Sequence, residues 1–474
     1  MSVIKVKNNG KWETIPIIGS TSGSGVGKVD SNSDGTGEIF NNYDGEDLNI
    51  SKGNSSHAEG KKTQANSNGS HAEGIETIAG DSSDPKNGKG AHAEGQVTTA
   101  LGNGSHAEGY NTEASGNYSH SEGFDSTASG QSSHVEGQRG IAIGYYSHAE
   151  GYNILTLGEY SHAEGGGAIR LNESFYSKTK DEILAEWERL YVTPTDYEVG
   201  DGFLCAAGKG SHSEGKNTLA LADFSHTSGE ATVAKSYCQT VIGRFNEPTT
   251  SGYNEFSISN EAFVIGNGTD INSKGNAFKV LFNGQTYADG AYSGSGADYA
   301  EFFEWKDGNI SNEDRVGLFV SLDEDKIVKA DFSSSYVLGV VSGNPSIIGD
   351  NPMRWKNKYL TDEWGRPIYE DVEVKYTETE VDENGETSRV EKTRIDHVMK
   401  INPEWDSSLE YKSREVRPEW SAIGMMGKLL VRQDGTLKAG EFCSPSIDGI
   451  ATHSKSGYYV MKVINDGQAL ILFR

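Results

Sequence analysis

The sequence predicts a mainly β protein whose central part is a narrow parallel β-roll of 14-residue coils. Ten of the twelve histidines lie in the pentapeptide Ser-His-Ala-Glu-Gly or a near copy, and most copies are fourteen residues apart. Self-similarity at a fixed period indicates a solenoid, and fourteen residues suit a coil of two short strands and two turns. Only 34% of the residues are hydrophobic and 59 are glycine, which favours repeats over one large core. The repeat histidines are His57, His71, His92, His106, His120, His134, His148, His162, His212 and His226.

Side chains of two kinds alternate along each repeat. Around His106, Ser105 and Ala107 share one face of the strand, whereas His106 and Glu108 share the other. This pattern predicts two strands that approach closely across an interior of small side chains. We expect the histidines and glutamates to form structural ladders without metal; the alternative is a metal array, because imidazole and carboxylate are plausible Zn²⁺ ligands. Charged histidines stacked one coil apart would repel each other, so we expect mostly neutral rings at pH 7 and a roll that acid loosens.

A roll this thin needs a partner to cover its larger outward side chains. The simplest partner is another copy of the chain, and we expect a homotrimer around a long axis. Over roughly residues 45–243 the repeats resemble the heads of trimeric autotransporter adhesins, and similar arrays occur in phage tail proteins. The resemblance implies a homotrimeric, left-handed parallel β-roll.

The flanking segments divide the chain into further predicted regions. Residues 1–44 predict a β-hairpin followed by a Gly/Ser/Asp-rich linker at 20–37, an arrangement suited to an attachment end. Residues 45–245 form the β-roll, with an insertion at 166–209 in which Thr179–Tyr191 predicts a helix capped by Thr179. We expect Trp187 to pack this helix on the roll, with receptor contact as the alternative. Residues 246–297 predict a β neck and a flexible joint.

From residue 298 the composition becomes that of a folded, mostly β or α+β domain. Asp298 and Glu301 would be neighbours on one helical turn, and if they were buried together the pKa of one carboxyl would rise. The protonated carboxyl could donate a proton while the ionised one activates water. The alternative is an ordinary Asp-x-x-Glu pattern that opens a helix and suits its dipole.

Several motifs between residue 298 and the last residue carry a second resemblance. They are Asn312–Arg315, Leu338–Ser342, Thr361–Pro367, Arg417–Trp420 and Gly427–Val431. Residues 298–474 resemble the self-cleaving intramolecular chaperone at the C-terminus of phage neck appendages and tail spikes, classed among glutamic peptidases. The resemblance implies a domain that trimerises, helps the upstream β-structure to fold, and cuts the bond Ala297–Asp298 with Asp298 and Glu301 as catalytic pair. We expect a hydroxyl residue before the cut in some relatives, and Ala297 departs from this. A mechanism with an adjacent hydroxyl as acyl acceptor is therefore unsupported, whereas cleavage by carboxylate-activated water remains.

The net charge and the N-terminal sequence argue against some classes of function. A formal charge of −27 argues against nucleic-acid binding. Residues 1–12 lack an apolar signal core, and no apolar run reaches the length of a membrane span, so we expect synthesis in a host cytoplasm and no membrane insertion.

We therefore predict a phage tail-fibre or appendage protein that is carried in the virion tail. We expect it to attach to the tail or baseplate through its N-terminus, to contact a host cell-surface receptor such as a glycan, and to need no cofactor. Its enzymatic activity would be a single-turnover autoproteolysis without a substrate in trans. The alternatives are a bacterial surface adhesin without enzymatic activity and a glycan-degrading tail spike, which would need two facing carboxylates.

Overall fold

The computed structural model describes residues 4–8, 11–15, 28–31, 37–41, 49–84, 86–167, 179–192, 203–249, 252–350, 358–381, 387–410 and 412–474. Its described part divides into two compact units. The first comprises residues 1–289 and 373–396, and the second comprises residues 290–372 and 397–474. Among the described residues, every helix is too short or too polar to cross a membrane.

The N-terminal segment contains two hairpins. Strands β1 (Ile4–Asn8) and β2 (Lys11–Ile15) pair antiparallel, as predicted. The linker predicted at 20–37 is wrong in part, because β3 (Lys28–Ser31) is a strand that pairs antiparallel with β4 (Gly37–Asn41). The polar residues of β3 do not predict a strand, because this segment is held in place by pairing with β4. Since β4 pairs in parallel with the first repeat strand, the repeat sheet already includes residue 37, before the predicted boundary at residue 45.

The repeats form short strands in strict alternation. Before the insertion they are β5 (Ile50–Ser51), β6 (Ser56–Lys61), β7 (Gln64–Ala65), β8 (His71–Ile75), β9 (Ile78–Ala79), β10 (His92–Gln96), β11 (Thr99–Ala100), β12 (His106–Tyr110), β13 (Glu113–Ala114), β14 (His120–Ser121), β15 (Thr127–Ala128), β16 (His134–Gln138), β17 (Ile141–Ala142), β18 (His148–Tyr152), β19 (Ile154–Thr156) and β20 (His162–Gly166). After helix α1 (Lys180–Val192) they are β21 (Leu204–Ala206), β22 (His212–Lys216), β23 (Leu219–Ala220), β24 (His226–Glu230), β25 (Val233–Ala234) and β26 (Thr240–Arg244).

These strands form two parallel sheets, which confirms the predicted parallel β-roll. The even-numbered strands from β6 to β26 lie side by side in one sheet, and the odd-numbered strands from β5 to β25 form the other. Each histidine is in register with the histidine of the next coil, as in the pair His92 and His106. The 36-residue insertion leaves this register intact, because His162 pairs directly with His212.

The interior of the roll is made of small side chains. Ala107 is fully buried and Ser105 nearly so, whereas His106 and Glu108 are half-exposed. The coils also meet through glycine: a Cβ at Gly137, where φ is +107°, would lie 2.4 Å from the carbonyl oxygen of Gly151. A larger residue would separate neighbouring coils, so the spacing of the sheet requires glycine at this corner.

Helix α1 packs on the roll as predicted. Thr179 and Glu182 form a reciprocal capping box, in which the Thr179 amide and hydroxyl donate to the Glu182 carboxylate at 2.8 and 2.9 Å. Trp187 is fully buried in a cluster that includes Leu155 and Phe203, and its indole N–H donates to the carbonyl of Asn217 at 3.0 Å. The insertion therefore adds a large-residue core to a roll that otherwise has a small-residue interior.

The predicted neck extends the larger sheet. Strand β27 (Glu261–Asn267) pairs in parallel with β26, and β28 (Asn276–Leu281) and β29 (Thr286–Ala288) follow it antiparallel. Residues 256–258, in the loop before β27, form no strand, and the Phe256 ring contacts the Phe282 ring edge-on.

The strands of the remaining chain are β30 (Asp298–Glu304), β31 (Phe319–Asp323), β32 (Lys326–Lys329), β33 (Gly339–Val341), β34 (Ile347–Ile348), β35 (Tyr369–Val381), β36 (Thr387–Met399), β37 (Trp420–Arg432), β38 (Phe442–Pro445), β39 (Ala451–Ser454), β40 (Tyr458–Asn465) and β41 (Gln468–Phe473). Strands β35 and β36 form a two-stranded sheet, and the residues that connect them, 382–386, lie outside the described part of the chain. The long strand β37 lies at the centre of the sheet that contains β30–β34 and β37–β41, because β30, β33 and β41 all pair with it.

The helical turn predicted at Asp298–Glu301 is wrong, because these residues open strand β30. Burial alternates along the strand, with Asp298, Ala300 and Phe302 facing inward. Pairing with β37 over the whole of β30 satisfies its backbone and outweighs the Asp-x-x-Glu helix signal. In the described part of the second unit, the helical elements are the 3-10 turns Arg414–Val416 and Ile447–Gly449, so the α+β alternative is not borne out there.

Candidate self-cleavage site

The predicted scissile bond, Ala297–Asp298, lies at the beginning of β30 in a cleft of about 540 Å³. Ala297 is exposed and Asp298 is 5% exposed, so the bond marks the point where the chain passes from the surface into the sheet. The cleft has room for water next to the bond. Its other lining residues include Ser295, Asp314, Ser342, Asn344, Lys428 and Gln468.

The segment before the bond lies flat against the loop that follows β33. A Cβ at Gly296 would meet the Asn344 carbonyl oxygen at 2.1 Å, and one at Gly294 would meet the Ser346 hydroxyl at 2.4 Å. Just after the bond, the Ser346 amide donates to the carbonyl of Asp298 at 2.9 Å. The joint that the sequence predicts to be flexible is thus held against this loop near the bond, with a bend at residues 295–297 and close contacts at two glycines.

The Asp298 carboxyl points towards the buried side of the sheet. Its Oδ2 is buried and accepts no hydrogen bond from the residues that the structure describes. A Cβ at Gly424 would lie 2.6 Å from this oxygen, so glycine at that position leaves room for the carboxyl. Burial raises the pKa of Asp298 above its ordinary value, and a hydrogen bond from Ser342 partly offsets the rise. A carboxyl that retains its proton at higher pH can act as a general acid.

Glu301 lies on the other face of the same strand. Its carboxylate accepts a hydrogen bond of 2.5 Å from the Tyr299 hydroxyl, and a Cβ at Gly349 would contact its Cγ at 3.1 Å. Because Asp298 and Glu301 are three positions apart on a strand, their carboxyls point to opposite sides. The structure therefore places Asp298 in the cleft, and Glu301 is not among the described residues that line it.

A main-chain donor at the bond was missed by the sequence analysis. The amide of Lys428 donates to the carbonyl oxygen of Ala297 at 3.2 Å. Gly427, with φ of +123°, allows this approach, since a Cβ there would lie 2.2 Å from the same oxygen. A glycine inside the apolar run 420–432 was the available signal, because glycine within a strand often marks a close backbone approach.

The repeat histidines form the predicted ladder along one face of the roll. From His71 to His226 successive rings are stacked within 9° of parallel, with centroids 4.7 to 4.9 Å apart. The pKa of His148 is lowered mainly by burial and to a smaller extent by repulsion from neighbouring histidine rings. The same causes lower the pKa values of His71, His212 and His226. In the adjacent glutamate row, a hydrogen bond with Glu136 raises the pKa of Glu150 to about 7.

The stacking geometry is unfavourable for metal between coils. Groups such as His106, Glu108 and His120 bring their ligand atoms within 4.8 Å of one another. An imidazole binds metal in its ring plane at about 2.0–2.1 Å. The rings of His106 and His120 are nearly parallel with centroids 4.7 Å apart, so an ion between the coils would lie out of plane for at least one ring.

Part of the chain is similar to known proteins that carry an autoproteolytic domain. Residues 252–468 match the family described as Peptidase_G2, IMC autoproteolytic cleavage domain. The pre-neck appendage protein of Bacillus phage B103 is 34% identical over 178 residues, covering 37% of this chain and 18% of that protein. The phage-related protein YobO of Bacillus subtilis (strain 168) is 36% identical over 178 residues, covering 37% of this chain and 20% of that protein.

Among solved structures, the C-terminal fragment of bacteriophage phi29 gene product 12 has 27% sequence identity, covers 37% of this chain and 100% of that chain, and has a TM-score of 0.29. The chain spans 18% and 20% of the length of the two curated relatives named above. Residues 252–468 of the chain are thus similar to an autoproteolytic cleavage domain.

Proposed function

We propose that the chain is a phage tail appendage protein whose C-terminal domain assists trimeric folding and then cuts its own backbone once, at Ala297–Asp298. The main observation that supports the proposed cleavage is the buried Asp298 carboxyl, which lies beside this bond in a cleft with room for water. The match of residues 252–468 to an autoproteolytic family supports the same reaction.

In the proposed reaction, water attacks the carbonyl carbon of Ala297. A carboxylate accepts the proton of the water as its oxygen bonds to the carbon, and the C–N bond to Asp298 then breaks. The protonated Asp298 carboxyl donates its proton to the departing nitrogen, which leaves a new carboxylate on Ala297 and a new amine on Asp298. The raised pKa of Asp298 suits this acid role.

We assign the accepting carboxylate to Glu301 of another copy of the chain. Within one chain Glu301 is held by Tyr299 on the face opposite Asp298, so it is poorly placed to serve its own bond. Association of copies would let the Glu301 of one copy enter the cleft of the next. The reaction would then start only after assembly, as a folding aid requires.

Two variants and one control test the chemistry. On a denaturing gel, we expect the wild type to give fragments 1–297 and 298–474, and both Asp298→Asn and Glu301→Gln to remain intact. The control is Asp314→Asn, which changes an exposed carboxylate that lines the same cleft and should leave cleavage unchanged. Cleavage that survives both Asp298→Asn and Glu301→Gln contradicts the proposal.

Co-expression of the two inactive chains tests the assignment of Glu301. If sites are shared between copies, the Glu301→Gln chain keeps Asp298 and receives Glu301 from the Asp298→Asn chain, so it should be cut. Different affinity tags identify which chain is cut. Failure of this complementation, with assembly intact, would place both carboxyls in the same chain.

Two surfaces support self-association. In the second unit, the sheet face opposite the core exposes apolar side chains at Met426, Leu430, Phe442, Tyr459 and Met461, each at least 40% exposed. Lys428 is exposed between Met426 and Leu430 on the same strand, so the face is mainly rather than wholly apolar. Large exposed apolar side chains grouped in this way favour an interaction surface. Sedimentation should therefore report a trimer, and the double variant Leu430→Glu and Met461→Glu should shift it towards monomer. A folded wild-type monomer at working concentration contradicts the proposal.

The histidine ladder is the second surface. Glutamate oxygens lie 3.4–3.9 Å from the Nε2 atoms of seven ladder histidines, at ion-pair distance. In the described part of the chain these buried Nε2 atoms still make no hydrogen bond of good geometry at His71, His92, His106, His120, His148, His162, His212 and His226. Buried polar atoms are normally hydrogen-bonded. Packing of this face around a common axis would supply partners from other copies.

We further propose attachment to the phage through residues 1–44 and contact of the roll with a host surface glycan. The names of the relatives, which are pre-neck appendage and phage-related proteins, support the virion assignment. The protein should bind host cell-wall glycan, and a glycan-turnover assay on the same material should show no degradation. Degradation would favour a tail-spike enzyme instead.

A further inference from the structure

The carbonyl oxygen of Ala297 is in contact with one main-chain donor from the central strand β37. The Lys428 amide nitrogen lies 3.2 Å from this oxygen and donates to it. The oxygen belongs to the carbonyl that becomes tetrahedral when water attacks the Ala297–Asp298 bond. The donor therefore contacts the atom on which negative charge develops.

The local backbone is arranged for this contact. Asp298 is opposite Gly427 in the β30–β37 ladder, and the register shifts between Tyr299 and Ala300. Gly427 has φ of +123°, and a Cβ at this position would lie 2.2 Å from the Ala297 oxygen and 2.9 Å from the Asp298 Cα. A residue with a side chain would thus push the two strands apart at the scissile bond.

The hydrogen bond can become stronger during the reaction. A length of 3.2 Å is at the long end of the range for an N–H···O bond. Hydrogen bonds to charged oxygens are shorter and roughly twice as strong as those between neutral groups. A contact that tightens as the oxyanion forms stabilises the transition state more than the uncut chain, which is the requirement for catalysis.

We propose that the main-chain amide of Lys428, presented by Gly427, is the oxyanion donor of the self-cleavage. This assignment rests on the proposed function. As the bond between water oxygen and the Ala297 carbon forms, the carbonyl electrons move to the oxygen held by this amide. They return when the C–N bond breaks and the Asp298 nitrogen takes a proton.

An amide-to-ester substitution tests the donor directly. Incorporation of the α-hydroxy analogue of lysine at position 428 of the full chain removes the N–H and retains the side chain. We expect the first-order rate of self-cleavage to fall by about 10²–10³-fold, the usual effect of losing one oxyanion donor. The matched control is the same analogue at Lys306, whose amide donates to the Ile327 carbonyl at 3.0 Å away from the cleft. The control should cleave at roughly the wild-type rate.

A pair of glycine variants provides an independent test. Gly427→Ala should slow cleavage at least as strongly as the ester, because the new Cβ displaces the donor. Gly435→Ala is its control: φ at Gly435 is +87°, and a Cβ there would meet no atom closer than 4.0 Å. This variant also places an alanine at positive φ but does not move the scissile carbonyl, so cleavage should continue.

The outcomes separate this assignment from the proposed function. Wild-type cleavage together with undiminished cleavage of the ester at 428 overturns the oxyanion assignment and leaves the self-cleavage proposal intact. An uncut wild type overturns both. If the ester chain does not fold, normal cleavage by folded Gly427→Ala overturns the assignment, with folding checked by thermal melting and sedimentation.

Discussion

Asp298 and Glu301 lie on opposite faces of strand β30, although they are only three positions apart in the chain. Asp298 is buried next to the predicted scissile bond, and Glu301 accepts a hydrogen bond from Tyr299 on the other side. The two carboxyls therefore have different environments and different roles in the proposed reaction. This arrangement leads to a specific expectation for the pH dependence of cleavage.

The rate of self-cleavage should fall as pH rises through the raised pKa of Asp298. Burial favours the neutral carboxyl, so the acid form persists above the ordinary value of 3.8 and is lost only at higher pH. Single-turnover cleavage of freshly refolded chain, followed on gels between pH 4 and pH 9, measures this dependence. A rate that increases steadily across the whole range would show that a protonated Asp298 is not required.

Acid should destabilise the β-roll below about pH 6.5. The folded roll lowers the pKa of His71, His148, His212 and His226 below 6.5, so the unfolded chain binds more protons as pH falls, and folding stability is lost in that direction. Glu150 acts oppositely: its pKa is raised from 4.5 to about 7, so its contribution to stability is present in acid and lost as pH rises through 7.

Thermal unfolding of the roll between pH 8 and pH 5 measures the balance of these effects. Because the pKa values of four histidines are lowered and that of one glutamate is raised, we expect the melting temperature to fall towards pH 5. Glu150→Gln removes the opposing contribution and should make the fall steeper. A flat profile in both proteins would contradict the neutral-ladder interpretation.

The glycines at coil corners should not tolerate alanine. Gly137→Ala places a Cβ 2.4 Å from the Gly151 carbonyl oxygen at φ of +107°, so we expect a loss of at least about 2 kcal/mol in the free energy of unfolding. Gly69→Ala is the matched control, since φ is +67° and a Cβ meets nothing within 4 Å. It should cost about 1 kcal/mol, from the backbone conformation alone. Equal losses in the two variants would show that close contact between coils is unimportant.

The insertion helix should stabilise the roll through Trp187. We expect Trp187→Ala to lower the free energy of unfolding by about 3–5 kcal/mol, because the side chain is fully buried. Trp187→Phe retains most of the apolar contact but loses the hydrogen bond to Asn217, so its effect should be smaller. Chemical denaturation of the three proteins provides the comparison, and an alanine variant as stable as the wild type would mean that the helix does not anchor the insertion.

The prediction was accurate where the chain has a period. Repetition every fourteen residues predicted which residues stack, because parallel strands in a solenoid place equivalent positions one strand spacing apart, as His92 and His106 are. The capping box at Thr179 was equally readable, since its partners are three residues apart. The polar strand β3 was missed because its order depends on pairing with β4 rather than on its own composition.

The sequence by itself determined the roll, its spacing and the Asp-x-x-Glu motif, because these depend on local patterns that recur or lie within one turn. Only the tertiary structure decided which face of β30 each carboxyl occupies, since pairing with β37 converted an expected helical turn into a strand. It also brought the Lys428 amide to the Ala297 carbonyl across 131 residues of chain (428 − 297), a contact that depends on long-range strand pairing.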